Sequence, residues 1–241
     1  MTDTRLAERR DAWRDKAVLR EIYEDYYRRI AAACVPGPSL EIGAGGGGLE
    51  TIADDVVTTD VLPAPWLDTV ADAHALPFAN ASFANIAMLD VLHHLSAPRA
   101  FFGEAARILR PGGRLVMIEP AITPVSRIFY TWFHPEPVVM DADPLAATAP
   151  DPDSDPFDAN QAIPTLLFLR QPGAFADAVP ELELKAARLL SLFAYPLSGG
   201  FRPWSLIPRG AVVPMLRLED RLTPMLGRLM AFRLFVVLER S

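Results

Sequence analysis

Three histidines and two acids in this chain have the types and spacing for proton transfer. His93 and His94 are adjacent in "LDVLHHL", residues 89–95, three and four positions after Asp90. His134 closes the aromatic run in "SRIFYTWFHPEP", residues 126–137, and Glu119 stands just before Pro120. An imidazole with a pKa of about 6.5 accepts a proton from a hydroxyl at neutral pH. His134 is the preferred base and His93 the second choice, while His94 is expected to turn toward the core. No metal is expected, because neighbouring residues on a helix point about 100° apart and these two rings would not share an ion. The six aspartates between residues 141 and 158 lack the glycine and the spacing of an EF-hand. They read as a solvated loop. Cys34, the one cysteine, follows three alanines and reads as buried filler; alone it forms no internal disulfide.

A second kind of chemistry lies in "LEIGAGGGGLE", residues 40–50. Gly43, Gly45 and Gly48 fit the G-x-G-x-x-G fingerprint of dinucleotide enzymes. Gly43, Gly45 and Gly47 equally fit the G-x-G-x-G turn that holds S-adenosylmethionine. Either ligand needs a sharp strand-to-helix turn without Cβ atoms, so that backbone can touch it. Asp60, seventeen positions after Gly43, can accept ribose hydroxyls in both readings. Glu41 separates them. A carboxylate there repels a pyrophosphate and suits the ammonium of a methionine. Asp72 ends the next short strand, where it can accept from the exocyclic amine of an adenine.

The elements that must position these groups follow from periodicity. Residues 5–33 read as helix, with Trp13, Val18, Ile22, Tyr26 and Ile30 at helical spacing, stopped by Pro36-Gly37-Pro38. Strands are expected at Ser39–Ile42, Val56–Asp60, Thr69–Ala71, Asn85–Leu89 and Arg114–Glu119. Helices are expected at Leu49–Ala53 and Pro98–Leu109, and the turn Arg110–Gly113 feeds the fifth strand. The alternation indicates a parallel, doubly wound α/β sheet. Six prolines in residues 136–164 mark an insertion or lid after strand five. Two long strands, Leu182–Leu192 and Ala231–Glu239, follow, with a helix over Leu216–Leu229 between them. The whole is one domain: a helical segment 1–34, a cofactor-binding half 35–120, an insertion 121–165 and a C-terminal half 166–241.

The order and wording of "LEIGAGGGG", "ADAHALPFANASF", "LDVLHHL" and "ARILRPGGRLVMIEP" resemble the class I S-adenosylmethionine-dependent methyltransferases, in the broad small-molecule branch called type 11. The likeness is close over residues 39–120 and holds only in outline beyond. It implies a Rossmann-like, seven-stranded, mostly parallel sheet with antiparallel C-terminal edge strands. It also implies an enzyme that binds S-adenosyl-L-methionine through Glu41, Gly43, Ala44, Gly45, Gly47, Asp60, Asp72, Ala73, Leu89 and Asp90. Catalysis then falls to His134, His93, His94 or Asp90, acting on a small-molecule or lipid- or sugar-linked acceptor, with oxygen the expected methylated atom. The family's aspartate after Ser-Phe is Ala84 here, and the span from Asp60 to Asp72 is too short for the usual helix. Trp66 can cover the adenine face, and Tyr23, Tyr26 and Tyr27 can close over the methionine end. Phe129, Tyr130, Trp132 and Phe133, with Phe193, Tyr195, Phe201 and Trp204, can form an aromatic acceptor pocket.

Composition narrows the partners. The formal net charge of −7 and a pI near 5.1 disfavour an extended nucleic-acid surface. No Asn/Asp-Pro-Pro-aromatic tetrapeptide is present to grip a flipped base. No apolar run reaches the roughly 18 residues of a membrane span, and the charged N-terminus is no signal peptide, so a cytoplasmic protein is expected. Basic charge is almost all arginine, with Lys16 and Lys185 the two lysines, and this preference for arginine reads as a coding bias. Two rivals stand beside the main reading: a metal-dependent O-methyltransferase using Asp90 and later acids, and a non-catalytic S-adenosylmethionine-binding subunit.

Overall fold

The computed structural model describes residues 4–151 and 153–241; residues 1–3 of the N-terminal segment and Pro152 of the insertion lie outside it. Two helices come first, α1 (Thr4–Asp15) and α2 (Ala17–Ala33). The single helix expected over residues 5–33 is broken at Lys16, whose φ of −93° and ψ of 88° leave the helical region. The break brings the Lys16 ammonium to the backbone carbonyls of Ser198, Gly200, Arg202 and Trp204, at 2.6–2.8 Å. A compact ammonium fits a ring of carbonyls that a planar guanidinium does not.

The sheet is built from β1 (Ser39–Ile42), β2 (Val56–Asp60), β3 (Thr69–Val70), β4 (Phe83–Leu89), β5 (Leu109–Pro120), β6 (Leu182–Leu190) and β7 (Arg233–Arg240). Their order is β3-β2-β1-β4-β5-β7-β6. The first five run parallel, and β7 lies between β5 and β6, antiparallel to both. The two long C-terminal strands are thus present, with the reversal carried by β7 alone. Because side chains alternate across a strand, Leu40, Ile42, Ile86 and Met88 face one core, shared with Phe101 and Phe102 of α3 (Pro98–Ile108). Ala87, Leu89, Val116 and Ile118 face the other, packed by α2 and the helix Val212–Met230.

Two local expectations are corrected and a third is met. Leu49–Ala53 is not an α-helix but a single 3-10 turn, Leu49–Thr51. Five residues are too few to nucleate a stable helix, and Asp55, at φ 56°, turns the chain into β2. The fifth strand begins at Leu109, five residues early, and bulges through Arg110–Gly113 before pairing resumes between Asn85 and Arg114. The residues between Asp60 and Asp72 form no helix, as their short span and two prolines predict. After β5 come α4 (Pro124–Phe133), capped by Thr123 and Ser126, and then an irregular stretch to residue 162 whose described residues are mostly exposed or half-buried.

Candidate active site

The parallel strands bring the carboxyl ends of β1, β2 and β4 to one edge, where open α/β sheets hold ligands. A cavity of about 460 Å³ runs along that edge, from the glycine turn to the start of β7. Gly43, Gly46 and Gly47 line it. Gly43 has φ 77°, and a Cβ there would meet Val91 Cγ2 at 2.2 Å. A Cβ on Gly48 would fall 2.0 Å from the Tyr27 ring, whose hydroxyl donates to the Gly47 carbonyl at 3.2 Å. Glycine is therefore required both for the turn and for the aromatic ring packed on it.

Asp60 lines the cavity at the end of β2. Its Oδ2 accepts from Gly45 N–H and its Oδ1 from Leu62 N–H, both at 3.0 Å, leaving each oxygen a further lone pair. Burial raises its pKa, and these backbone donors oppose the rise. Asp72, Ala73, Leu89 and Asp90 also line the cavity. Asp72 is half-exposed and accepts from the His74 amide at 2.8 Å, with the His74 ring 2.7 Å away.

Ala44, Gly45 and Glu41 stand behind the lining rather than in it. Glu41 is 1% exposed and accepts from Leu49 N–H at 3.2 Å. Burial, followed by the neighbouring Glu50 charge, pushes its pKa up to about 8. A buried, protonated carboxyl anchors the loop from beneath; a free carboxylate waiting at the cavity wall is not what this geometry provides. Trp66 is likewise outside the lining, with its indole N–H on the Gly45 carbonyl at 3.2 Å and the Arg10 guanidinium over its ring.

The opposite end of the cavity is assembled around Asp90. Its backbone is left-handed, at φ 59°, an uncommon conformation for a residue other than glycine. Its Oδ2 accepts from Tyr23 hydroxyl at 2.8 Å, and its Oδ1 pairs with Arg233 at the start of β7. Arg233 is 2% exposed, lies 4.0 Å from the Tyr195 ring centroid and leaves its buried Nε without a hydrogen-bond partner. Tyr130 and Phe201 complete this wall. Of the expected aromatic pocket, Tyr130, Tyr195 and Phe201 are present, whereas Trp132 and Phe133 point into solvent at 77% and 60% exposure. The α4 helix turns only its Tyr130 face inward. Tyr26 belongs to the core, donating to Ser191 Oγ.

All three candidate histidines line the cavity, in roles that differ from those expected. His93 is the buried ring and His94 the half-buried one, the reverse of the expected order. His93 Nδ1 is 2.7 Å from Glu119 Oε2, and its Nε2 is 3.4 Å from Glu136 Oε2. Burial alone would lower its pKa, but the two carboxylates outweigh it and hold the ring at about 9. A ring protonated at neutral pH and flanked by two acids is no general base. His94 goes the other way, to about 4, through burial and the neighbouring His93 charge. His134 is also lowered by burial, but its Nδ1 accepts from the Glu136 amide at 3.3 Å, so its Nε2 carries the proton. That makes it a donor rather than the expected base. Glu119, wholly buried, spends Oε1 on the amides of Val91 and Leu92, at 2.9 and 2.8 Å. It positions the turn Leu92–His94 and touches nothing in the cavity.

Sequence reasoning missed Gly46, His74, Glu136 and Arg233. Arg233 had a signal: a lone arginine in the apolar strand Ala231–Leu238, on the same side as Phe235 and Val237. Glu136 had none beyond its nearness to His134.

Residues 40–117 match the family described as Methyltransferase domain. A stretch of 51 residues is 55% identical to the malonyl-[acyl-carrier protein] O-methyltransferase of Hahella chejuensis, covering 20% of this chain and 17% of that protein. A longer stretch of 124 residues is 31% identical to the demethylmenaquinone methyltransferase of Renibacterium salmoninarum, covering 43% and 52%. The chain thus spans about half the length or less of these relatives. Among solved structures, a methyltransferase of Thermotoga maritima described as a possible histamine N-methyltransferase superposes with a TM-score of 0.57 at 13% identity, covering 99% of this chain and 100% of that one. Geranyl diphosphate methyltransferase, solved with sinefungin, gives 0.52 at 14% identity, over 90% and 78%. Strand order and glycine turn thus share the fold of these methyltransferase structures, and residues 40–117 resemble a methyltransferase domain of the class that uses S-adenosylmethionine. The residues present fit that cofactor: a Cβ-free turn beside the cavity, a carboxylate with spare lone pairs at Asp60, and apolar walls at Ala73 and Leu89.

Proposed function

We propose that this chain transfers a methyl group from S-adenosylmethionine to an oxygen of a small-molecule acceptor, free or linked to a lipid or sugar. The observation that carries the reading is one continuous cavity joining the glycine turn and Asp60 to a polar wall of tyrosines, histidines and a buried ion pair. The cofactor supplies a methyl group already activated on a sulfonium, so positioning is the larger part of the work. Asp60 accepts the ribose hydroxyls, the backbone of Gly43–Gly47 meets the amino-acid portion, and Asp72 and Ala73 meet the adenine. Tyr23, Asp90 and Arg233 fix the floor between donor and acceptor. A hydroxyl acceptor must lose its proton, and the cluster of His93, His94 and Glu136 faces that end of the cavity.

Calorimetric titration and an acceptor panel test this. Micromolar binding of S-adenosylmethionine or S-adenosylhomocysteine is expected, with none of NAD. Asp60→Ala weakens binding by roughly 1–3 kcal/mol, because two hydroxyls lose a charged acceptor. Tight NAD binding overturns the reading. Cofactor binding without turnover on a broad panel of hydroxylated acceptors would instead identify a non-catalytic binding subunit.

A further inference from the structure

We infer that His93, His94 and Glu136 form a binding site for one divalent first-row transition metal of the zinc class, at the acceptor end of the cavity. One donor atom from each residue lies within 4.8 Å of the other two. Neighbouring positions on the 3-10 turn Leu92–His94 diverge at the backbone, yet the two ring centroids are 4.2 Å apart, so the expectation that these rings cannot meet fails. Tetrahedral zinc ligands sit about 3.4 Å from one another. His93 Nε2 and Glu136 Oε2 are already at 3.4 Å, and a His94 donor atom lies within 4.8 Å of its partners in the cluster.

The hydrogen bonds behind the rings give the second, independent observation. His94 Nδ1 is 3.0 Å from the Asp158 carbonyl, which can only accept, so that nitrogen bears the proton and Nε2 keeps its lone pair. His93 Nδ1 faces the buried Glu119 carboxylate at 2.7 Å, leaving Nε2 toward Glu136. Carbonyl or carboxylate behind Nδ1, with Nε2 turned to the ion, is how metal-bound histidines are oriented, and on His93 the ion would replace the Nε2 proton. Gln161 donates to Glu136 and fixes the third donor in place. Two imidazoles and one carboxylate leave a divalent ion with one net positive charge, which Glu119 balances. Nitrogen donors favour zinc-class ions over magnesium or calcium. Two histidines and one carboxylate with an open cavity side match a catalytic zinc site rather than a closed structural one. On the functional reading above, the open position takes the acceptor oxygen. The ion lowers that hydroxyl's pKa, its proton leaves to water, and the oxygen forms the new C–O bond as the C–S bond breaks.

The test uses the full chain, stripped with a chelator and reloaded with Zn2+ or Co2+. About one equivalent should survive gel filtration, measured by elemental analysis, and the Co2+ protein should show visible bands of a four- or five-coordinate site. His94→Ala and Glu136→Gln should abolish the stoichiometric metal while cofactor titration stays unchanged. Glu119→Gln, acting only through His93, should weaken metal affinity roughly 10–100-fold. His74→Ala, a lining residue outside the three-residue cluster, should retain the metal. Failure of the wild-type chain to hold Zn2+ or Co2+ overturns the site, whatever the variants do. So does an unchanged Co2+ spectrum in folded His94→Ala. Because cofactor titration is independent of the metal, loss of this inference and loss of the methyltransferase reading are told apart.

Discussion

The two ends of the cavity are made by different means. At the cofactor end, the lining comes from short stretches that follow one another along β1, β2 and β3, and backbone does much of the contact: Gly43, Gly46 and Gly47 present main chain, and Asp60 is tied by two amides. At the acceptor end, Tyr23, Asp90, Tyr130, Tyr195 and Arg233 come from five separated elements, and side chains hold one another. The first end is a property of a strand-turn-strand unit. The second exists only when β7 slots between β5 and β6 and α2 closes over them.

The largest effect should come from breaking the second end. Arg233→Met removes a buried guanidinium and leaves Asp90 facing Tyr23 with no counter-charge. Removing one partner of a buried pair costs about 3–5 kcal/mol. Chemical denaturation should read that loss, and Asp90→Asn on the same background should restore part of it. A change below about 1 kcal/mol would mean that the pair is solvent-screened, as surface pairs are. Cofactor affinity in the folded fraction should move far less than stability.

This contrast also explains what was legible beforehand. The strands β1 to β5, their parallel order and the glycine turn are written in local periodicity and in glycine, proline and aspartate positions, and they could be placed to within a few residues. Gly43, Gly47, Asp60, Asp72 and Ala73 line the cavity because each lies at a strand end that alternation locates. Glu41 fell on the wrong side of its loop because a strand only four residues long gives no cue to how the turn after it folds back. The acceptor end was read poorly for a physical reason: which face of α4 turns inward, and whether His93 or His94 is buried, depends on partners 26 to 143 residues away. No window of sequence contains them.

A smaller effect separates the turn from its packing. In Gly48→Ala the added methyl would overlap the Tyr27 ring, and overpacking of this kind costs about 1–3 kcal/mol. Tyr27→Leu on the same background should recover part of the loss, since it removes the ring that the methyl meets. If Gly48→Ala alone is neutral by thermal melting, Tyr27 is not packed on the loop, and the cofactor end is less rigid than its geometry indicates.

Glu41 offers a pH test of the same end. Its folded pKa of about 8 lies above the model-peptide value of about 4.3, so the folded chain holds this proton more tightly than the unfolded one. The stabilisation is complete below the unfolded pKa and is lost as pH rises through the folded one. The slope is at most about 1.4 kcal/mol per pH unit. Glu50 and Tyr27 are the groups that face it. Glu41→Gln keeps an acceptor for Leu49 N–H but cannot ionise, so it should flatten the decline between pH 5 and pH 8 and melt higher than wild type at the alkaline end. Parallel curves for the two proteins would mean that Glu41 is ionised in the fold. A tenfold loss of cofactor affinity would return it to the ligand's ammonium.

The smallest expected effect belongs to Lys16, and it probes the acceptor end from outside the cavity. Its ammonium ties the carbonyls of Ser198, Gly200, Arg202 and Trp204, and so shapes the loop that carries Phe201 against Tyr23, with ring centroids 5.6 Å apart. Lys16→Arg keeps the charge but spreads it over a planar group that cannot sit at the centre of that ring. Loss of one or two charge-assisted bonds, partly replaced by water, costs on the order of 1 kcal/mol. Hydrogen exchange should quicken at the amides of Gly199, Arg202 and Leu206, which are bonded to carbonyls within the same loop. The amide of Gly47, bonded within the glycine turn, should not change. Acceptor KM should rise while the cofactor dissociation constant holds. Equal quickening at both places would mean that the two ends of the cavity are one cooperative unit, and the distinction between them would fall.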